Sequence, residues 1–166
     1  MEFDYIIVGG GSSGCLLANR LSANPRNKVC LIEAGPSDWS PFIHIPAGFI
    51  KTVVNKRVNW LYQTEPSTGT NWRSIPTPRG KVLGGSSSIN GLIFNRGQRS
   101  DYDNWAQKGN FGWAYDDLLP YFKRYESRLG EHDKIFRGTE GELPITDLGY
   151  QDPLCEAFIK GAVEEG

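Results

Sequence analysis

The most constraining stretch of this sequence is residues 3–35, FDYIIVGGGSSGCLLANRLSANPRNKVCLIEAG. Tyr5, Ile6, Ile7 and Val8 form a short apolar run, the pattern of a strand buried on both faces. It runs into Gly9-Gly10-Gly11-Ser12-Ser13-Gly14, which fits G-x-G-x-x-G at Gly9, Gly11 and Gly14. Over residues 13–21, Leu16, Leu17, Ala18 and Leu21 recur at helical spacing, and Asn24-Pro25 closes the helix. Residues 28–32 read as a second strand, with Glu33 at its end, nineteen residues after Gly14.

Each part has a physical reason. Gly9 permits a sharp turn, Gly11 lets backbone approach a pyrophosphate, and Gly14 lets helix and strand pack closely. The helix N-terminus offers free N–H groups to phosphate oxygens. An acid at position 33 can accept hydrogen bonds from a ribose and disfavours a 2′-phosphate. Strand, loop, helix, strand and terminal acid together predict a Rossmann-like unit that binds an adenine dinucleotide. This block alone leaves NAD and FAD both open.

Composition narrows the partners. The chain has 166 residues and a formal net charge of -1, with 18 Lys and Arg against 19 Asp and Glu. Nucleic acid or an anionic membrane as the main partner would call for a basic surplus. The 20 glycines cluster instead of repeating, which marks close backbone approaches and not a flexible linker. Cys15, Cys30 and Cys155 have no metal-ligand spacing; they read as small buried hydrophobes, which suits a reducing, cytoplasmic setting. The N-terminus runs into a short apolar strand with no basic region and no cleavage site, so it does not read as a signal peptide, and no apolar run reaches the length of a membrane span.

The middle of the chain, residues 36–77, is irregular and rich in aromatics and prolines, as functional excursions often are. Trp60 and Tyr62 alternate with Leu61 and Gln63, which predicts a strand. His44 reads as a packed or solvent-touching loop residue and His132 as a surface residue, so neither is a convincing general base. Residues 101–128 read as helical scaffold, with Asp116 and Asp117 at a helix start and Pro120 kinking the helix or sitting in its first turn. GTEGELPITD reads as a glycine turn and a short strand. Leu154, Cys155, Phe158, Ile159, Ala162 and Val163 define an amphipathic helix in which the sequence stops, as an incomplete chain would.

A second glycine-rich segment, GKVLGGSSSINGLIFNRGQRSDYD at residues 80–103, carries a specific resemblance. Gly80-Lys81, Leu83, Gly84-Gly85-Ser86-Ser87, Ile89-Asn90, Phe94, Gly97 and Asp103 match, position by position, the first signature of the glucose–methanol–choline (GMC) flavoprotein oxidoreductases. NWLYQTEP, DYDNWA, GWAYDDLLPYFKRYE, GTEGELPI and PLCEAFIKGAVEEG are similar to the choline-dehydrogenase-like branch, so the resemblance covers essentially the whole chain.

The resemblance implies FAD, not NAD. It implies an α/β fold: a Rossmann-like FAD-binding domain of the three-layer β/β/α type over residues 1–142, with the start of an α+β substrate domain at 143–166. It places Gly9, Gly11, Ser12, Ser13, Gly14, Glu33, Ala34 and Trp60 around the cofactor, with Glu33 on the adenosine ribose. From the second loop, residues 79–97, it adds Val82, Gly84, Gly85, Ser87, Asn90, Gly91, Leu92 and Ile93, with residues 90–93 nearest the flavin ring. Some members attach flavin through a histidine just before the asparagine; Ile89 stands there, which implies non-covalent FAD. The implied reaction is oxidation of a primary or secondary alcohol, with oxygen or a quinone as electron acceptor. The family's catalytic His and its His or Asn partner match nothing in the chain, so a C-terminal part of the same enzyme is expected as its partner. A homo-oligomer and peripheral membrane association both remain compatible. An FAD-containing lyase of the hydroxynitrile-lyase kind and a non-catalytic dinucleotide-binding module are the alternatives. No metal is expected.

Overall fold

A computed structural model describes residues 1–150 and 152–166. It is an α/β chain that divides into two compact units, residues 1–93 and 94–166.

The first unit opens with strand β1 (Tyr5–Val8), helix α1 (Ser12–Ser22) and strand β2 (Val29–Ile32). β1 and β2 pair in parallel, Tyr5 opposite Val29 through Val8 opposite Ile32, so α1 is the crossover of a βαβ unit. Gly14 is the contact that makes this tight. A Cβ there would overlap the carbonyl oxygen of Gly9, so only glycine lets α1 pack on the end of β1. The turn before it needs Gly9 at φ +98°.

β1 is not buried on both faces: Ile7 is buried, but Ile6 and Val8 are 62% and 83% exposed. Two strands and one helix cover only one side of this parallel sheet, so the apolar strand residues on its other side are exposed. The cysteines also depart from expectation. Cys15 and Cys30 are only half-buried, because their helix and sheet are covered on one side, and Cys155 is exposed.

Helices α2 (Pro41–His44) and α3 (Phe49–Thr52), joined by a 3₁₀ turn at Pro46–Gly48, organise the start of the excursion. His44 is exposed, its Nε2 2.7 Å from the Asp38 carbonyl oxygen. The alternating strand expected around Trp60 does not form. Leu61 takes φ +55°, and only β3 (Tyr62–Gln63) pairs, antiparallel to β4 (Pro76–Thr77). The cause is Asn59, which is 2% exposed. Its Oδ1 accepts from the Leu61 and Arg79 amides, both at 3.0 Å, and its Nδ2 donates to the Val53 carbonyl at 2.6 Å. A side chain that satisfies three backbone groups replaces the ladder there.

The second glycine loop threads through this framework. Val82 is fully buried and packs with Val58 and Ile89 in the small core of the unit. A 3₁₀ turn at Gly85–Ser88 follows Gly84 and Gly85 at φ +89° and +60°. Gly35 holds the loop from outside: a Cβ there would overlap the Lys81 carbonyl and the Val82 amide nitrogen. Gly35→Ala should therefore destabilise the protein by about 1–3 kcal/mol through overpacking. Urea denaturation should show this as a lower midpoint at unchanged m-value.

The second unit contains α4 (Arg99–Gln107), α5 (Tyr115–Tyr125), β5 (Glu126–Arg128), β6 (Leu143–Ile145) and α6 (Pro153–Glu165). Asp101 accepts from the Gln98 amide at the start of α4, and Asp103 from the Tyr115 amide at the start of α5. Rings of Tyr102, Trp105, Trp113, Tyr115 and Phe122 pack between the two helices. Arg99 donates to Asp116 at 2.8 Å, and this hydrogen bond holds the exposed Asp116 carboxyl below its ordinary pKa. Pro120 lies inside α5, past its first turn, where its exposed ring faces solvent. Residues 126–128 leave the expected helix and pair as β5 in parallel with β6.

One polar group is buried at the start of β5. Glu126 is fully buried, ion-paired to Arg96, with Arg137 Nη1 3.2 Å from its Oε1. His132, expected at the surface, is half-buried: its Nδ1 lies 2.7 Å from the Gly130 carbonyl oxygen, and Nε2 is shielded from solvent. On α6, Leu154, Phe158 and Val163 are each at least 75% exposed.

Candidate cofactor site

In the first unit, a cavity of about 790 Å³ opens at the C-terminal end of β1, within the size range of small-molecule sites. The sequence-predicted residues Gly9, Gly11, Ser12, Ser13, Gly14, Glu33, Ala34, Trp60 and Gly85 line it. Val82, Gly84, Ser87, Asn90, Gly91, Leu92 and Ile93 are not in its lining. Val82 belongs to the core, and Ser87 Oγ donates to the Gly84 carbonyl. Asn90 Oδ1 accepts from the Leu92 amide at 2.9 Å and so supports Leu92 at φ +60°, while Ile93 is 87% exposed.

Tyr62, Arg79 and Ser86 also line the cavity, and the reading of the sequence did not single them out. Tyr62 could have been found from its alternation with Trp60: the two rings stack at 5.8 Å with 4° between their planes. Lys81 Nζ lies 4.6 Å from the centroid of the Trp60 ring, a cation–π contact that fixes the indole at the rim. Arg79 begins the second loop and lines the same cavity, its Nη1 donating to the Pro78 carbonyl at 2.7 Å.

Three observations fit a pyrophosphate-bearing ligand. Gly11 precedes α1, and no side chain caps the first turn, so the N-terminal amides of an eleven-residue helix open on the cavity. Gly11 itself has φ -79°, which any residue adopts, and a Cβ there would meet no protein atom closer than Gly85 Cα at 3.9 Å. Neither strain nor packing within the chain requires glycine at that position, and its absent side chain leaves the backbone open to close approach from the cavity. Finally, the two glycine loops are joined. The Gly84 amide donates to the Gly10 carbonyl at 2.7 Å, and a Cβ on Gly85 would approach Gly11 Cα to 2.8 Å.

Glu33 is placed at the far side of the first loop. Its Oε2 accepts from the Gly10 amide at 2.7 Å and its Oε1 from the Gly35 amide at 2.8 Å. Each oxygen keeps a lone pair for a hydroxyl donor. Among the described residues, no group of three or more His, Cys, Asp or Glu is arranged to hold a metal. No helix among them is long and apolar enough to cross a membrane.

A parallel βαβ unit with this phosphate-ready turn and a second backbone loop laid against it defines a dinucleotide-binding domain. The GMC oxidoreductase family model matches residues 3–166, and the chain belongs to that family. It is 46% identical over 162 residues to an alcohol dehydrogenase [acceptor] of Pseudomonas putida, covering 98% of this chain and 29% of the relative. It is 46% identical over 166 residues to an oxygen-dependent choline dehydrogenase of Rhizobium johnstonii, covering 100% and 30%. Among solved structures, pyridoxine 4-oxidase from Mesorbium loti superposes with a TM-score of 0.89 at 38% identity, over 99% of this chain and 32% of that one. An FAD-dependent oxidoreductase from Chaetomium thermophilum superposes at 0.84 with 31% identity, over 98% and 29%. This chain thus spans about 30% of the length of the curated relatives it matches.

Proposed function

We propose that the chain is the FAD-binding part of an enzyme that oxidises a primary or secondary alcohol to an aldehyde or ketone. The observation that carries this reading is the junction of the two glycine loops, Gly84 amide to Gly10 carbonyl, beside one cavity. A mononucleotide needs one helix terminus; a molecule as long as FAD needs a second stretch of close backbone. FAD, when bound, supplies the hydride acceptor at flavin N5.

The residues of this chain bind and orient. The amides at the start of α1, with Arg79, would hold the pyrophosphate; Glu33 would accept from the adenosine ribose; Trp60 and Tyr62 would cover the cavity rim. The segment around Asn90 and Leu92 would take the flavin end. Binding is non-covalent in this reading, because Ile89 is 3% exposed, packed on Val58 and Val82, and has no nucleophile. Residues 1–142 would belong to the FAD domain and 143–166 to the start of a substrate domain. The catalytic base, the choice of alcohol and the acceptor, oxygen or a quinone, would lie with the remaining part of the enzyme.

Asn90→Ala should keep FAD at full content while shifting the flavin visible spectrum, because Leu92 loses the acceptor that supports its left-handed backbone. The stability loss should stay near 0.5–1.5 kcal/mol, the scale of one hydrogen bond. Absorbance and thermal melting of the same sample check both parts.

The reaction is tested by anaerobic addition of candidate alcohols to the complete enzyme. Bleaching of the long-wavelength flavin band supports alcohol oxidation. Release of cyanide from a cyanohydrin without bleaching would assign the chain to a lyase instead.

A further inference from the structure

We infer that Glu33 is a positioning residue that couples occupancy of the first glycine loop to the position of the second. This rests on the reading above that the first loop takes the ADP half of the cofactor. A ribose acceptor alone would need only one carboxylate face toward the cavity. Here both oxygens are already engaged by backbone, on two separate segments that each clasp the second loop.

On one side, Oε2 holds the Gly10 amide, and the carbonyl of the same residue accepts from the Gly84 amide at 2.7 Å. Gly10 is buried, and a Cβ there would meet Leu83 Cδ1 at 3.1 Å and Glu33 Oε2 at 3.2 Å. The bonds through its amide to Glu33 and its carbonyl to Gly84 fix its backbone orientation. On the other side, Oε1 holds the Gly35 amide, next to Pro36, whose carbonyl accepts from the Leu83 amide at 3.0 Å. Leu83 and Gly84 are thus tied to the rest of the unit through the two residues, or neighbours of residues, that Glu33 holds. Removal of the carboxylate releases both ties together.

The thermodynamic consequence is linkage. A ligand that binds only the clasped form suppresses opening in proportion to its saturation, by up to about 100-fold at 100 times its dissociation constant. Ribose hydroxyls on the free lone pairs of Glu33 would add that restraint to Leu83 and Gly84, which no adenosine group need touch.

The test uses the complete protein stripped of flavin, with ADP as probe. Calorimetry measures ADP binding, and hydrogen exchange is followed at the Leu83 and Gly84 amides. At matched saturation, ADP should slow both amides by about tenfold or more. A 2′,3′-dideoxy-ADP, which lacks the hydroxyls, should slow them by no more than about twofold. In Glu33→Gln the amide side chain can accept at one end only, and slowing by bound ADP should fall to the same small level. If Glu33→Gln does not fold, the two nucleotides on the native protein still decide. ADP that binds while Leu83 and Gly84 exchange unchanged, or dideoxy-ADP that protects them equally, overturns the coupling. Failure of ADP to bind at all overturns the first-loop reading and the coupling with it.

Discussion

Gly11→Val will give a folded protein that purifies without FAD. The backbone at Gly11 has an ordinary φ of -79°, and a Cβ there would meet Gly85 Cα at 3.9 Å, an ordinary van der Waals contact. The valine methyls would instead fill the approach to the α1 amides, which a pyrophosphate must reach to within hydrogen-bonding distance. Loss of those contacts should weaken FAD by about 3 kcal/mol or more, roughly 100-fold in dissociation constant. Far-UV circular dichroism and the chemical denaturation midpoint should stay near those of the parent. The contrast with Gly14 is informative: there a Cβ collides with the Gly9 carbonyl, so Gly14→Ala should lose stability first and cofactor as a result.

The second large effect lies away from the cavity. Glu126→Ala should destabilise the second unit by about 3–5 kcal/mol. Glu126 is fully buried, and the Arg96 side chain paired with it is 9% exposed, so truncation leaves a guanidinium with no counter-charge in the interior. Arg137, at 3.2 Å from the other oxygen, loses its partner too. Arg96 also donates to the Phe136 carbonyl at 2.6 Å and lies over the Phe122 ring, so it cannot leave for solvent without breaking further contacts. Replacing Arg96, Glu126 and Arg137 together with apolar residues of similar volume should recover most of the loss, since the penalty comes from the unpaired charge. Thermal denaturation of the single and triple variants separates the two.

The parts of the fold that could be read from sequence are those set by local pattern. The βαβ unit followed from an apolar run, three glycines and a helical repeat, and the structure places its boundaries within a residue or two of the expectation. The amphipathic α6 and the short β6 were equally local. What could not be read depends on residues far apart in sequence. Asn59 turns Leu61 out of a strand only because Val53 and Arg79 are within its reach. Glu126 looks like one more polar helix residue until Arg96 and Arg137, 30 and 11 residues away, converge on it. Gly35 draws no attention between Glu33 and Pro36, yet the backbone of Lys81 and Val82 passes where its side chain would be.

The site shows the same division. Gly9, Gly11, Gly14 and Glu33 were legible because their spacing is fixed within one supersecondary unit. Arg79 was not, because its place in the lining comes from the bridge between Asn59 and Gly80. For Glu33, spacing suggested a ligand acceptor, while its two bonds to backbone appear only once Gly10 and Gly35 are in place.

The flavin content of the complete protein tests the central claim most directly. Acid precipitation should release one FAD per chain into the supernatant, leave a colourless pellet, and release none from Gly11→Val. A native protein purified without flavin, or one carrying NAD in its place, would contradict the account.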